Sequence, residues 1–186
     1  MRGATTARLV TEGGGGADLL EFYNPGIVII QMGLAEIAPR LFKKTGFEHY
    51  FMHNILPARF IQRYISFIKK RRVRRPDCTD IEPAITEYNI RNFIERCGRC
   101  GTKLVYCKLN RAGDYYLGKS PFVQHNISRF NNMLERLADE YSHVTLAHPV
   151  SDKHDINSLC IDELHVNAGG HMLYYREISG IVKRLL

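Results

Sequence analysis

Ile27-Val28-Ile29-Ile30-Gln31-Met32-Gly33 opens with consecutive β-branched residues and follows the turn signal Asn24-Pro25-Gly26. A run that is apolar at every position, rather than at alternate ones, suits a parallel strand covered on both faces. Open parallel sheets take their ligands beyond the carboxyl ends of their strands. Gly33-Leu34-Ala35-Glu36 and the following Pro39-Arg40 therefore stand where a site is expected.

Two further stretches read as strands, Thr102 to Leu109 and His143 to His148, the latter with Val144-Thr145-Leu146-Ala147 at its centre. Helical periodicity fills the intervals. Before the first strand, residues 4 to 22 read as two short helical pieces separated by the glycines at 13 to 16. Leu56, Phe60, Ile61, Tyr64, Ile65 and Ile68 keep a helical spacing, with Pro57 tolerated in the first turn. Thr79 or Asp80 is expected to cap a helix that buries Ile81, Ile85, Tyr88, Phe93, Ile94 and Cys97. Ser120-Pro121 begins the most regular helix, with Ser120 as its cap and Val123, Ile127, Phe130, Leu134 and Leu137 on one face. The last helix, from about Ala168, is expected to bury Leu173 or Tyr174, Ile178, Ile181, Val182 and Leu185. Strand and helix alternate, which is the pattern of a doubly wound α/β sheet. At 186 residues the chain, 1 to 186, is read as one domain able to bury its own core.

The apolar share of 45% and charged share of 24% are ordinary for a globular protein. No apolar run approaches the roughly 18 residues that span a bilayer, and the N-terminus lacks a secretory pattern, so a cytoplasmic location is expected. The formal charge of +7 has a local source in Lys69, Lys70, Arg71, Arg72, Arg74 and Arg75. Such a run is either the solvated end of a helix or a contact for an anionic polymer or surface. Nucleic acid is not the expected partner, since no binding motif accompanies the run. Five cysteines, an odd number, argue for reduced thiols. Cys97-Gly98-Arg99-Cys100 is half of a zinc knuckle, but Cys78, Cys107 or a histidine would have to complete the four ligands. The plainer reading is a helix end turned by Gly98 and Gly101, and neither metal nor cofactor is expected.

Ile161-Asp162-Glu163-Leu164-His165-Val166-Asn167-Ala168-Gly169-Gly170-His171 carries the chemistry. An aspartate and a histidine three residues apart in a loop before a helix form a base and its orienter. His165 would take a proton from a hydroxyl nucleophile, and Asp162 would hold the imidazole tautomer and stabilise the imidazolium. The same letters also describe an ordinary loop in which Asn167 caps the next helix.

With these placements the chain resembles the SGNH (GDSL-like) hydrolases, which have a flavodoxin-like fold with a mostly parallel sheet in three α/β/α layers. These enzymes cleave or transfer acyl groups with a serine nucleophile. Asp162-x-x-His165 and the residues after it resemble the family's last block, which supplies the catalytic Asp and His. Ile27 to Glu36 resembles the third block, a strand ending in Gly-x-Asn-Asp. Gly3-Ala4-Thr5-Thr6 resembles the second block, whose glycine lends a backbone N–H to the oxyanion hole. The resemblance implies Gly3 and Gly33 as oxyanion or site-floor positions. The first block, a strand ending in Gly-Asp-Ser, would lie before Gly3, where only Met1 and Arg2 stand, so the nucleophile and one strand are expected to be missing from this chain. Ala35 replaces the third-block Asn and Glu36 its Asp. Members associated with bacterial surface-polysaccharide gene clusters carry a stretch similar to Gly33 to Arg40, which implies Glu36 and Arg40 as contacts for a sugar or anionic substrate.

Two functions follow as expectations. One is an esterase or acyl transferase for an acylated carbohydrate or another small ester, working through His165 and Asp162. The other is a non-catalytic protein of the same fold, holding an anionic glycan, surface or partner through Lys69, Lys70, Arg71 and Arg72. A zinc-dependent role ranks behind both, and the number of subunits is not legible in the sequence.

Overall fold

Three short parallel strands carry the architecture. The computed structural model describes residues 5–10, 17–40, 46–72, 79, 81–151, 153–162 and 165–186, with the backbone alone for 17, 18, 69–72 and 119. In chain order come a 3-10 turn (Thr6–Leu9), α1 (Ala17–Tyr23), β1 (Ile27–Ile30), α2 (Leu34–Ile37), α3 (Phe47–Asn54), α4 (Ala58–Arg72) and α5 (Pro83–Arg99). Then follow β2 (Lys103–Cys107), α6 (Asp114–Lys119), α7 (Val123–Glu140), β3 (Val144–Ala147), α8 (Ile156–Leu159) and α9 (Ala168–Leu185). The sheet order is β1-β2-β3, with Ile30 opposite Tyr106 and Tyr106 opposite Leu146.

Because side chains alternate along a strand, β2 feeds two cores. Leu104 and Tyr106 meet Ile90, Phe93 and Ile94 of α5 and Val123, Ile127, Phe130, Leu134 and Leu137 of α7. Val105 and Cys107 point the other way, to Tyr174 and Ile181 of α9. The result is the expected α/β/α sandwich around a parallel sheet. All the apolar residues anticipated for α7 are at most 5% exposed, so its stripe of three- and four-residue spacings is the main wall of the larger core.

Several expectations need correction. β1 is not covered on both faces, for Ile29 is 47% exposed. The physical reason lies in the layer: α9 packs over β2 and β3, and β1 is an edge strand among the described residues. α5 buries Phe93, Ile94 and Cys97 as expected, but its first turns present other residues to the core. Ile85 and Tyr88 are exposed, and Thr86, Asn89 and Ile90 are buried in their place. The well-packed series Ile90, Phe93, Ile94 and Cys97, continued backward at helical spacing, reaches Thr86 rather than Ile85. Glu82, not Thr79, is its N-cap residue, and Pro83 occupies the first turn, where a missing N–H costs nothing; Asp80 lies outside the described residues. Of the α4 stripe only Ile68 is fully buried, while Phe60 is 43% exposed. Ser120 does not cap α7, which starts three residues later with no side-chain cap bond. Its hydroxyl is buried without a hydrogen-bond partner among the described residues.

Candidate active site

The segment after α8 folds back on itself before α9 begins. Cys160 and Val166 form an antiparallel bridge, and the Ile161 N–H donates to the His165 carbonyl at 2.8 Å. This tie brings the ends of the Asp162-to-His165 turn together. Within it, the His165 backbone N–H donates to Asp162 Oδ1 at 2.8 Å. The imidazole Nδ1 lies 2.7 Å from Asp162 Oδ2 and 3.0 Å from Oδ1. A carboxylate facing Nδ1 favours the proton on that nitrogen and leaves Nε2 as the free base. The histidine side chain is 72% exposed, so Nε2 is accessible.

Asn167 fastens this turn to the last helix. Its Oδ1 accepts the Gly170 N–H at 3.1 Å as the N-cap of α9, and its Nδ2 donates to the Ser158 carbonyl at 2.8 Å. The capping role and the Asp–His pair, which looked like competing readings of one stretch, coexist in it. Gly170 is required for packing: a Cβ there would sit 2.6 Å from Val166 Cβ and 2.9 Å from the Leu159 carbonyl oxygen.

At the end of β1 the chain turns through Gly33, whose φ of +125° is open to glycine and strained for other residues. A Cβ at this position would meet the Phe130 ring at 2.4 Å, so Gly33 is also pressed against α7. Glu36 is 3% exposed, and its Oε1 accepts the backbone N–H of Thr6. Thr6 Oγ1 in turn accepts from Asn89 Nδ2 at 3.3 Å. This chain of polar contacts ties the 3-10 turn to the carboxyl end of β1, across the ground where the second and third blocks were expected to meet. Arg40 is half-buried beyond α2. Gly3 lies outside the described residues. Lys69, Lys70, Arg71 and Arg72 continue α4, as expected of a basic helix end, but their side chains lie outside the description, as do Arg74 and Arg75.

Cys97 and Cys100 sit at the C-terminal end of α5, and Gly101 turns the chain with a φ of +67°. Burial, reinforced by Cys100, pushes the Cys97 thiol up to about 12. Among the described residues no three His, Cys, Asp or Glu side chains converge as a metal site would require.

The sequence reading missed an amide row on α7. Asn126 Nδ2 donates to the Ile37 carbonyl at 3.0 Å, Gln124 Oε1 accepts the Ala112 N–H at 2.8 Å, and Asn131 clamps both backbone groups of Leu109 at 2.9 Å. These amides hold the loops after β1 and β2, where ligands of parallel sheets bind. An asparagine beside the apolar face of an otherwise regular helix was the available signal.

No protein-family model and no curated protein matches the sequence. Solved structures do match the fold. A GDSL-like lipase from Bacteroides thetaiotaomicron aligns with a TM-score of 0.61 at 13% identity, over 99% of this chain and 73% of that one. A catalytic mutant of an acetylxylan esterase from Geobacillus stearothermophilus aligns with a TM-score of 0.59 at 12% identity, over 95% of this chain and 66% of that one. The chain has the SGNH/GDSL-like hydrolase fold and spans about two thirds to three quarters of the length of these structures.

Proposed function

We propose that this fold serves an SGNH-type serine esterase or acyl transferase acting on an acylated carbohydrate in the cytoplasm. The observation that carries the reading is the Asp162 carboxylate on His165 Nδ1, with Nε2 facing outward. The likeness to an acetylxylan esterase supports an acylated sugar as substrate. A nucleophilic hydroxyl brought to Nε2 completes the pair. Nε2 of His165 takes its proton as the oxygen attacks the ester carbonyl, and returns that proton to the departing alkoxide when the tetrahedral intermediate collapses. Gly33 belongs to the floor on which the carbonyl oxygen is held. Glu36 and Arg40 stand at the same end of β1, Glu36 positioning the Thr6 turn. Ala35 brings no side-chain amide to the oxyanion, a donor whose loss typically costs about 100- to 1000-fold.

The test is hydrolysis of p-nitrophenyl acetate and acetylated xylo-oligosaccharide by the protein isolated from its native source, with its intact mass measured on the same sample. His165→Ala is expected to lower the rate by roughly 100- to 10,000-fold, and the 186-residue chain alone to show little activity. Robust turnover that ignores His165→Ala would sink the reading. Ala35 favours a second one, a non-catalytic protein that binds an anionic glycan through Lys69, Lys70, Arg71 and Arg72. It requires salt-sensitive glycan binding that is lost when the four are neutralised and indifferent to His165→Ala.

A further inference from the structure

A cavity of about 450 Å³ opens between α2, the start of α5 and the middle of α7. That is the size of a small-molecule site, and none of its walls comes from the Asp162–His165 turn. Ile37, Pro83, Phe130 and Met133 make its body apolar. Seven of its thirteen lining residues are polar or charged, and they differ in depth. Glu36, at 3% exposure, is buried in the wall, and its Oε1 is engaged by the Thr6 N–H. Thr86 is 4% exposed, yet its hydroxyl has no hydrogen-bond partner among the described residues. A buried hydroxyl left this way favours a ligand that brings it an oxygen. Two arginines line the cavity as well. Arg136 is held by both carboxylate oxygens of Glu87, at 2.8 and 2.9 Å. Arg129 is exposed and has no ion pair among the described residues.

We propose that this cavity binds an aliphatic monocarboxylate. Its carboxylate sits on the Arg129 guanidinium at the mouth, where planar donors fit it and water still reaches. Its chain lies between Ile37, Phe130 and Met133, and an oxygen substituent on the chain meets the Thr86 hydroxyl. The charges set the direction of entry. Arg129 at the mouth attracts an anionic head and repels a cationic one. The Asp162–His165 turn takes no part in this site, which shares Glu36 with the proposed esterase.

Titration calorimetry of the 186-residue chain with decanoate and 3-hydroxydecanoate, below their aggregation concentrations, tests the assignment. Saturable one-to-one binding is expected, several-fold tighter for the hydroxylated acid. Arg129→Gln should weaken both by about tenfold, the scale of one charge-assisted contact. Thr86→Val should erase the preference for the hydroxyl, and Met133→Trp should fill the space and abolish both. Ala84→Phe, on an exposed wall of the same cavity, replaces Met133→Trp should that variant fail to fold by circular dichroism. His165→Ala should bind as the parent does, which separates this site from the Asp–His turn. Absence of saturable decanoate binding by the folded chain overturns the proposal. So does equal binding of decyltrimethylammonium, or affinity unchanged by both Arg129→Gln and the cavity-filling variant.

Discussion

At Gly170 a single hydrogen atom decides whether the Asp162–His165 turn can form. The helix start, the Leu159 carbonyl and Val166 converge there so closely that a methyl group has no room. The nearest backbone oxygen cannot swing away as a flexible side chain would. Gly170→Ala is therefore expected to destabilise the protein by about 1–3 kcal/mol, the usual cost of overpacking. It should also lower any His165-dependent rate, because Val166 is bridged to Cys160 at the base of the turn. Urea unfolding and the esterase assay on one preparation check this, and a stable, fully active variant would contradict it. The Asp–His pair itself was legible from the sequence, since three residues of a loop suffice to bring both groups together. The inward turn of Glu36 was not legible, because Thr6, its partner, lies thirty residues away.

Among the elements, α7 does most to order the molecule. Its apolar stripe supplies a wall of the larger core, and its amides hold the loops that leave β1 and β2. Leu134, at 1% exposure, should cost about 2–5 kcal/mol when cut to alanine. Neighbouring Glu135, half-exposed and paired with Lys108, should cost no more than about 1 kcal/mol. Chemical denaturation of the two variants gives the comparison, and a reversed order would mean that α7 packs differently. α5 shows why the phase of a helix resists sequence reading. Ile85 and Tyr88 are apolar, yet the first turns of α5 bury Thr86 and Asn89 instead, and Asn89 reaches Thr6 there.

Over the whole molecule, ion pairs connect elements distant in sequence. Arg96 joins α5 to Glu21 of α1, and Arg136 and Arg91 join α7 and α5 through Glu87 and Glu140. Hydrogen bonds from Arg96 hold the Glu21 carboxyl below its ordinary value of 4.5, and those from Arg136 do the same for Glu87. A depressed carboxyl stabilises the fold above its unfolded value and loses that contribution as pH falls through the lower, folded one. The melting temperature is thus expected to change little in this respect from pH 7 to about 5 and to fall below about 4.5. The double variant Glu21→Gln, Glu87→Gln should fall less steeply in thermal melts, and an identical slope would remove these pairs as the cause. Local chemistry by itself determined much of this protein: the three strands, the α7 stripe, the Asn167 cap and the Asp162–His165 pair, because each depends on residues within a few positions of one another. Tertiary structure alone decided the uncovered face of β1, which residues the first turns of α5 bury, the Glu36–Thr6–Asn89 link and the cavity beside Arg129. Each of these depends on which layer lies against which, and that is settled only when distant segments share one core.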